Sequence, residues 1–305
     1  MAGVSDKWLC INQLMRERHL TILAVQEPHL TPERLLALQT LFSDQLLIHS
    51  SPHPDNPSGA GGIALVISTR RAAAAIPPPI ALIPGRALVL DYPWSASRTL
   101  RILAVYAPNA PAENAAFWLH LRDLTTTPGF KRPDILLGDF NVVEDANDRL
   151  PAHPDSTAAT AALAALLQPH QLLDSWRNAH PSDRAYTFNQ LGRPSHSRID
   201  RIYVRSTLQS AAADWSTSLV GLVTDHALVS LSLANYQTPS IGPGRWSLPP
   251  LLLTDKPFLD TMRDLVMSFQ HDLLTSGPRT ATSNPQTLFY GFKTKLVAAA
   301  RARAK

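Results

Sequence analysis

The hydrophobic positions along the chain change between a helical and a strand period. Apolar residues three or four positions apart indicate amphipathic helices, and short apolar runs between Pro, Gly and polar breaks indicate strands. The predicted helices lie at 5–19, 31–42, 111–124, 157–167 and from 254 onward, and the predicted strands at 21–25, 62–68, 87–92, 100–106, 134–138, 198–204, 218–223 and 228–233. Because strands and helices alternate early and strands dominate later, this order favours a layered α/β sandwich over a regularly wound βαβ fold.

The segment Ile241-Gly-Pro-Gly244 interrupts this pattern. Beyond it, Thr254 or Asp255 can cap a further helix, and basic residues follow up to Lys305. We therefore expect a first domain at 1–241, followed by a linker and helical tail at 242–305. The apolar stripe of the last helix is expected to pack against its own neighbours or against a partner.

The composition is that of a globular protein with a basic balance. The 305 residues are 45% hydrophobic and 17% charged, which allows one large α/β domain and an appendage. A net charge of +4 suits an anionic partner such as nucleic acid without requiring one. The single cysteine, Cys10, excludes an intramolecular disulfide and a cysteine-based metal site, so we expect an intracellular protein. No apolar run approaches the length of a membrane span, and no secretory leader is evident.

The candidate functional residues lie at the ends of predicted strands. Four apolar runs each end in polar residues that can bind a metal ion or a phosphate: Ile22 to Glu27, Ile102 to Asn109, Ile135 to Asn141, and Val223 to His226. A fifth run places Asp200 inside an alternating strand, where a cationic or histidine partner is expected. Because the ends of strands are where sites gather in α/β proteins, the five runs point to one functional site.

Together these residues provide what phosphodiester hydrolysis requires. Glu27 and Asp225 can supply carboxylate oxygens to a hard cation, and Asp139 is placed to act as the base for an attacking water. His226 follows an acid and is therefore biased toward its protonated form, which can stabilise charge that develops on the phosphate. The side chains that can hold phosphate oxygens are Tyr106, Asn109 and Asn141.

With these motifs the sequence resembles the endonuclease/exonuclease/phosphatase superfamily, which includes pancreatic-type DNases and apurinic-site endonucleases. The resemblance spans about residues 7 to 235 and is greatest toward the endonuclease domain of non-long-terminal-repeat retrotransposons, especially fungal elements. Counterparts exist there for Asp6 to Arg16, for the Gln26-Glu27 pair and for Gly244-Arg-Trp-Ser. The resemblance implies a four-layer α/β/β/α sandwich of two mixed, largely antiparallel sheets with a C-terminal helical appendage, in which 242–305 corresponds to the connector to a reverse transcriptase.

The resemblance implies a role for each candidate residue. Glu27 would bind the metal, Asp225 would be a second metal or water contact, and Asp139 would activate water. His226 would contact the scissile phosphate, and Asp200 would hold His226 in place. The remaining residues would orient the water or lie near the phosphate: Asn141, Tyr106, Asn109 and Thr187.

The resemblance also implies the cofactor and the partner. Mg²⁺ or Mn²⁺ is the expected cofactor, and DNA is the expected partner, with no membrane and no stable protein partner. A functional retrotransposon endonuclease would act in the nucleus.

Relatives of this kind begin with a strand that ends in an Asn-x-Asn or Asn-x-Asp motif, whose first residue hydrogen-bonds the catalytic aspartate. This sequence starts at Met1 directly before the following helix, and Asn12 falls inside that helix. Loss of the strand would leave a gap in one sheet and remove a hydrogen bond to Asp139. Comparable losses cost about 10- to 100-fold in metal affinity or activity.

Each segment taken singly has a plainer interpretation. The turn at Asp139 to Asn141 could be a strand-to-turn junction, and Glu27 could cap the helix after Thr31. Tyr106 could be a core aromatic residue, and Asp200 could pair with a neighbouring arginine. The occurrence of all five segments in the order of the family favours the catalytic interpretation. Two other functions stay open, namely an inactive retroelement remnant that still binds nucleic acid, and a phosphatase or phosphodiesterase for small phosphorylated substrates.

Overall fold

The structure of the protein is a computed structural model that describes residues 4–72, 75–95, 98–189, 194–220, 224–235 and 248–304. The chain divides into two compact units, Met1–Thr238 and Pro239–Lys305. The predicted break at 241–244 lies outside the described residues, so the predicted boundary after residue 241 stays a prediction. None of the helices in the described ranges is both long enough and apolar enough to cross a bilayer.

The described part of the chain consists of short helices and strands joined by turns. The helices are α1 Val4–Glu17, α2 Pro32–Leu41, α3 Pro111–Thr126, α4 Thr157–His170, α5 Ser175–Ala179, α6 Lys256–Thr275 and α7 Pro285–Arg303, with 3₁₀ turns at Ala146–Asp148, Ser206–Ala211 and Pro250–Leu253. The strands are β1 Ile22–Gln26, β2 Leu46–Ser51, β3 Ile63–Ser68, β4 Ile80–Ile83, β5 Ala87–Ser95, β6 Arg98–Tyr106, β7 Ile135–Asp139, β8 Arg149–Leu150, β9 Leu172–Leu173, β10 Phe188–Asn189, β11 His196–Ser197, β12 Asp200–Arg205, β13 Ala212–Ser218 and β14 Leu228–Leu233.

A six-stranded sheet in the order β4-β5-β6-β7-β12-β9 forms the centre of the first unit. Its neighbouring strands are antiparallel except β6 and β7, which run parallel because the chain crosses between them through α3. A second sheet has the order β1-β3-β2, and β13 pairs with β14. A small sheet of β10, β11 and β8 lies in the chain segment between β7 and β12.

Three hydrophobic clusters separate four layers in the first unit. The first cluster lies between α3 and α4 and one face of the six-stranded sheet, the second between that sheet and β3, and the third between β3 and helices α1 and α2. Alternating side chains divide between them: Val89 of β5 belongs to the first cluster and Leu90 to the second, while Leu65 of β3 belongs to the second and Val66 to the third. The expected α/β/β/α sandwich with a C-terminal helical region is therefore confirmed.

The second unit is built around α6 and α7. The ring of Phe269 in α6 lies 6.0 Å from that of Phe289 and 5.0 Å from that of Phe292, both in α7. Of the two predicted caps, Asp255 is the N-cap of α6, and its side chain accepts the backbone N–H of Phe258 at 2.9 Å. Residues 293–303 of the predicted basic tail belong to α7, and the ring contacts show that the apolar stripe of α6 packs against this second helix of the same unit.

In the first unit one predicted strand is misplaced, and strands such as β2 and β4 were not predicted. The strand expected at 218–223 is misplaced, because β13 ends at Ser218 and residues 221–223 lie outside the described ranges. The sequence of β13, AADWSTS, has no apolar alternation from which the strand could be predicted. Strand β4 was missed because prolines surround it, and as an edge strand beside β5 it tolerates them.

A crevice lies beside the central sheet. Among the described strands, β1 pairs only with β3 and β14 pairs only with β13, so each has one edge without a partner. The crevice has a volume of about 490 Å³ and is lined by Ile22 and Ala24 of β1, by Val229 and Leu231 of β14, and by Ile202 of the central sheet. Strands β1 and β14, each with one unpartnered edge among the described strands, therefore both line this crevice.

His170 gives the stability of the fold a predictable pH dependence. Burial and the charges of Arg132 and Arg205 lower the pKa of His170 from 6.5 to about 4. Between these two values the unfolded chain takes up a proton that the folded chain does not, so acidification destabilises the fold. We expect wild type to lose about 2 kcal/mol more unfolding free energy between pH 7 and pH 5 than a His170→Gln variant.

Urea unfolding followed by tryptophan fluorescence at the two pH values measures this difference. A His153→Gln variant is the matched control, because His153 is exposed. Equal pH slopes for wild type and His170→Gln would contradict the prediction.

Candidate active site

Strand register places three of the predicted residues side by side at one end of the central sheet. Tyr106 at the end of β6 is the parallel neighbour of Asp139 at the end of β7. Asp139 is in turn the antiparallel neighbour of Asp200 at the start of β12. Because residues in register on adjacent strands project from the same face of a sheet, the three side chains form one row.

The row can form because β7 approaches β6 closely. Gly138 has a φ of +140°, and a Cβ atom there would lie 1.9 Å from the carbonyl oxygen of Val105. A side chain at position 138 would therefore separate the two strands next to Asp139.

Glu27 extends the row beyond Tyr106. The Tyr106 hydroxyl donates a hydrogen bond to Oε1 of Glu27, which fixes the carboxylate at the end of β1. Burial, the hydrogen bond to Glu27 and the negative charges of Glu27 and Asp139 raise the pKa of Tyr106 well above its usual range. The hydroxyl therefore stays protonated and remains a donor. Glu27 does not cap α2, since Thr31 accepts the N–H of Arg34 there.

His226 extends the row at the opposite end. Its ring Nδ1 lies 2.8 Å from Oδ2 of Asp200. Burial alone would lower the pKa of His226, but the hydrogen bond and charge of Asp200 and the charges of Asp139 and Asp225 raise it to about 9. His226 is thus an imidazolium at neutral pH. Ligand atoms of Asp139, Asp200 and His226 lie within 4.8 Å of one another, but His226 could join the two carboxylates as a metal ligand only after it loses a proton.

Asp139 is the most buried acid of the row. Burial and the charge of Asp200 raise the pKa of the Asp139 carboxyl well above its usual range, although His226 and the backbone N–H of Asn141 act in the opposite direction. The N–H of Asn141 donates to Oδ1 of Asp139 at 2.9 Å. Asn141 has a left-handed φ of 50°. The side-chain amide of Asn141 donates to the carbonyl of Ala107 at 2.9 Å, which joins the loops after β6 and β7.

A buried amide in α3 holds the same two loops. The side-chain nitrogen of Asn114 donates to the carbonyl of Pro108 at 2.8 Å and to that of Phe140 at 2.9 Å. The indole N–H of Trp118 donates to the Asn114 oxygen at 2.7 Å and fixes the orientation of the amide. The helical layer therefore connects directly to the loops that carry Asn109 and Asn141.

The other predicted residues differ in their placement. Thr187 is buried, and its hydroxyl accepts the backbone N–H of Asp200 at 2.9 Å and donates to the carbonyl of Ser197, so its bonds are to the protein. Asn109 lines a cleft next to Glu27. The carboxylate of Asp225 is outside the three-residue group, although its charge acts on His226. The roles predicted for these residues stay predictions.

Arginines next to Asp200 pair elsewhere, and Asp200 itself pairs with His226. Arg198 donates two hydrogen bonds of 2.9 Å to Asp148 and also contacts Asp174. Arg177 donates to the same Asp148 carboxylate. This buried network fixes the segment that leads into β12. It could not be predicted from local patterns, because its members are far apart along the chain.

The cleft beside Glu27 contains residues that the sequence patterns did not single out. It has a volume of about 400 Å³, and its lining includes His29, His53, Arg86 and Tyr106. The Arg86 guanidinium stacks over the Tyr106 ring at 4.7 Å. Neither His29 nor His53 has a second potential ligand at the sequence spacing of a metal site, so both were predicted to be surface or loop residues. The one available signal was that His29 follows Glu27 by two positions.

Comparison with known proteins identifies the family. The Endonuclease/Exonuclease/phosphatase family matches residues 9–240, and the chain belongs to this family. The resemblance inferred from the strand-end motifs is therefore confirmed. This assignment places the chain among hydrolases of phosphate esters.

Individual relatives agree with this assignment. The chain is 36% identical over 187 residues to the Transposon TX1 uncharacterized 149 kDa protein of Xenopus laevis, a match that covers 60% of this chain and 14% of that protein. Its fold is similar to AP endonuclease LMAP from Leishmania major, with a TM-score of 0.61, 18% identity, and 77% and 85% of the two chains covered. It is also similar to the endonuclease domain of TRAS1, a telomere-specific non-LTR retrotransposon, with a TM-score of 0.55, 14% identity, and 75% and 93% covered.

The arginine network yields a stability prediction. Replacing Arg198 by Met removes the two hydrogen bonds that Arg198 donates to the buried carboxylate of Asp148 and its contact with Asp174, so Arg177 is left to balance two carboxylates. We expect Arg198→Met to lower the free energy of unfolding by about 3–5 kcal/mol. Arg263→Met is the control, because the exposed Arg263–Asp260 pair should contribute less than about 1 kcal/mol. Urea denaturation compares the two variants, and equal effects would contradict the prediction.

Proposed function

We propose that the chain is a divalent-metal-dependent phosphodiester hydrolase that nicks DNA. The observation that carries the proposal is the row of Glu27, Tyr106, Asp139, Asp200 and His226, joined by strand register and hydrogen bonds. The row combines a carboxylate open to an ion, a buried base and a cationic donor. These are the groups that water attack on a phosphate diester requires.

The residues around Glu27 fit a divalent ion. Its side chain is about half exposed (51%), and while Oε1 accepts from Tyr106, no described residue donates a hydrogen bond to Oε2. Carboxylate oxygens suit Mg²⁺ and Mn²⁺. In the proposal Glu27 binds the ion and Asp225 is a second metal or water contact. A bound ion would neutralise charge on the phosphate and favour departure of the leaving oxygen.

In the proposal, Asp139 and His226 handle the protons of the reaction. Asp139 accepts the proton of the attacking water, because a buried carboxylate with a raised pKa is a stronger base once it is deprotonated. Asn141 orients Asp139 through its backbone N–H and lies next to the water. His226 uses Nδ1 for Asp200, so its Nε2–H is free to donate to a phosphate oxygen. Tyr106 and Asn109 complete the phosphate site in this proposal.

The similar proteins support a nucleic-acid substrate. One is named an AP endonuclease and another the endonuclease domain of a retrotransposon. We infer that DNA is the partner of this chain and that it acts in the nucleus. The basic balance of +4 supports an anionic polymer as the partner.

Plasmid nicking tests the proposal directly. With Mg²⁺ or Mn²⁺, the protein is expected to convert supercoiled plasmid to the open circle before any linear product forms. Asp139→Asn removes the base and should lower the nicking rate by about 10²- to 10⁴-fold. Asp123→Asn, at an exposed acid paired with Arg122, is the matched control and should retain the wild-type rate.

Each other outcome has a defined meaning. If wild type and Asp139→Asn leave the plasmid equally supercoiled, the nicking proposal is wrong. DNA binding in the absence of nicking would support the inactive remnant, and release of phosphate from a small monoester would support a phosphatase of the same fold.

The Asp200–His226 pair should act as one unit in catalysis. His226→Ala is expected to lower kcat by about 10²- to 10³-fold, because a cationic donor to the phosphate is lost. Asp200→Asn should lower kcat as well, and the double variant should be no slower than His226→Ala alone. Single-turnover nicking rates measure the three variants. Losses that multiply in the double variant would show that Asp200 acts independently of His226.

A further inference from the structure

The ring of His29 faces the carboxylate of Glu27 without bonding to it. Its Nε2 lies 3.8 Å from Oε2 of Glu27, which is too long for a hydrogen bond. The same Nε2 has almost no solvent exposure and no hydrogen-bond partner among the described residues. A buried ring nitrogen without a partner is uncommon and requires an explanation.

The backbone turns both side chains toward one cleft. Glu27 and His29 lie on either side of Pro28, and each has a left-handed φ of 50°. Residues other than glycine rarely adopt this backbone conformation. Both residues line the cleft of about 400 Å³ next to Tyr106. The local strain is therefore associated with two groups that can bind a metal ion.

The other groups of the cleft do not satisfy His29. Nδ1 of His53 accepts the backbone N–H groups of Asp55 and Asn56 at 3.2 Å, so that ring is held by its own loop. Arg86 is a cation stacked on Tyr106 and cannot accept a hydrogen bond from His29. The remaining acid in the cleft is Glu113. A cation would complement both His29 and the two carboxylates.

We propose that His29 is a ligand, together with Glu27, of the divalent ion, and that it makes the site selective for transition-series ions over Mg²⁺. Two ligands about 2.1 Å from one ion are about 3.0–4.2 Å apart, and the observed 3.8 Å lies within this span. Imidazole nitrogen binds Mn²⁺ and Co²⁺ more favourably than it binds Mg²⁺, which prefers oxygen. This inference rests on the proposed function in one respect, the presence of an ion at Glu27.

Calorimetric titration of the full chain with Mn²⁺, Co²⁺ and Mg²⁺ tests the proposal. His29→Ala is expected to weaken Mn²⁺ and Co²⁺ binding by about tenfold or more and Mg²⁺ binding by less than about threefold. Glu27→Gln should weaken the binding of all three ions. His271→Ala, at an exposed histidine of the second unit, should leave all three affinities unchanged.

A spectroscopic measurement separates a ligand from a structural neighbour. Electron spin-echo modulation of bound Mn²⁺ should show coupling to a ¹⁴N nucleus in wild type that is lost or reduced in His29→Ala. Equal weakening of Mg²⁺ and Mn²⁺ binding in His29→Ala, or a ¹⁴N signal that does not change, would overturn the proposal. Neither readout depends on DNA cleavage, so a protein that binds Mn²⁺ through His29 but fails to nick plasmid would refute only the proposed function.

Discussion

The alignment of β6, β7 and β12 is the constraint on which the candidate site depends. Tyr106, Asp139 and Asp200 are far apart along the chain, and only the register of these three strands brings them together. Since side chains alternate between the two faces of a sheet, a slip of one residue at either strand pair would turn one of them to the opposite face. The hydrophobic clusters on both faces make such a slip costly, so the core of the sandwich protects the geometry of the site.

The aligned strands place two carboxyl groups next to each other, and their negative charges must be offset. Asp139 and Asp200 are neighbours in register, and the low-dielectric surroundings of Asp139 penalise two adjacent negative charges. His226 offsets one of these charges through its contact with Asp200, and a cation near Glu27 would act on the opposite side of Tyr106. The row therefore has a positive charge at the His226 end, and the proposed ion would add one at the Glu27 end. Arg198 could not replace His226 in this role, because Asp148 and Asp174 already bind it.

The sequence predicted the features that depend on local pattern. Strand periods located β1, β6, β7, β12 and β14, and the polar residues predicted with these strands include Glu27, Tyr106, Asp139 and Asp200. His226 was also predicted, but at the end of a strand expected at 218–223, whereas it lies two residues before β14. Features that depend on distant contacts were missed, as with the pairing of Arg198 with Asp148. The cleft was missed as well, since Arg86 and His29 come together only through folding. Weakly apolar strands such as β13 have no periodic pattern in the sequence. Strand β13 forms because it pairs with β14.

Asn114 shows where the site can adapt to a substrate. Its one amide group bonds both to the loop after β6 and to the loop after β7, and Trp118 locks the amide in place. These two loops are therefore tied to each other, and a movement of one loop would strain the bonds that Asn114 makes to the other. The opposite side of the cleft is bonded differently: Nδ1 of His53 accepts the N–H groups of Asp55 and Asn56 in its own loop, so a movement of that loop need not displace either loop held by Asn114.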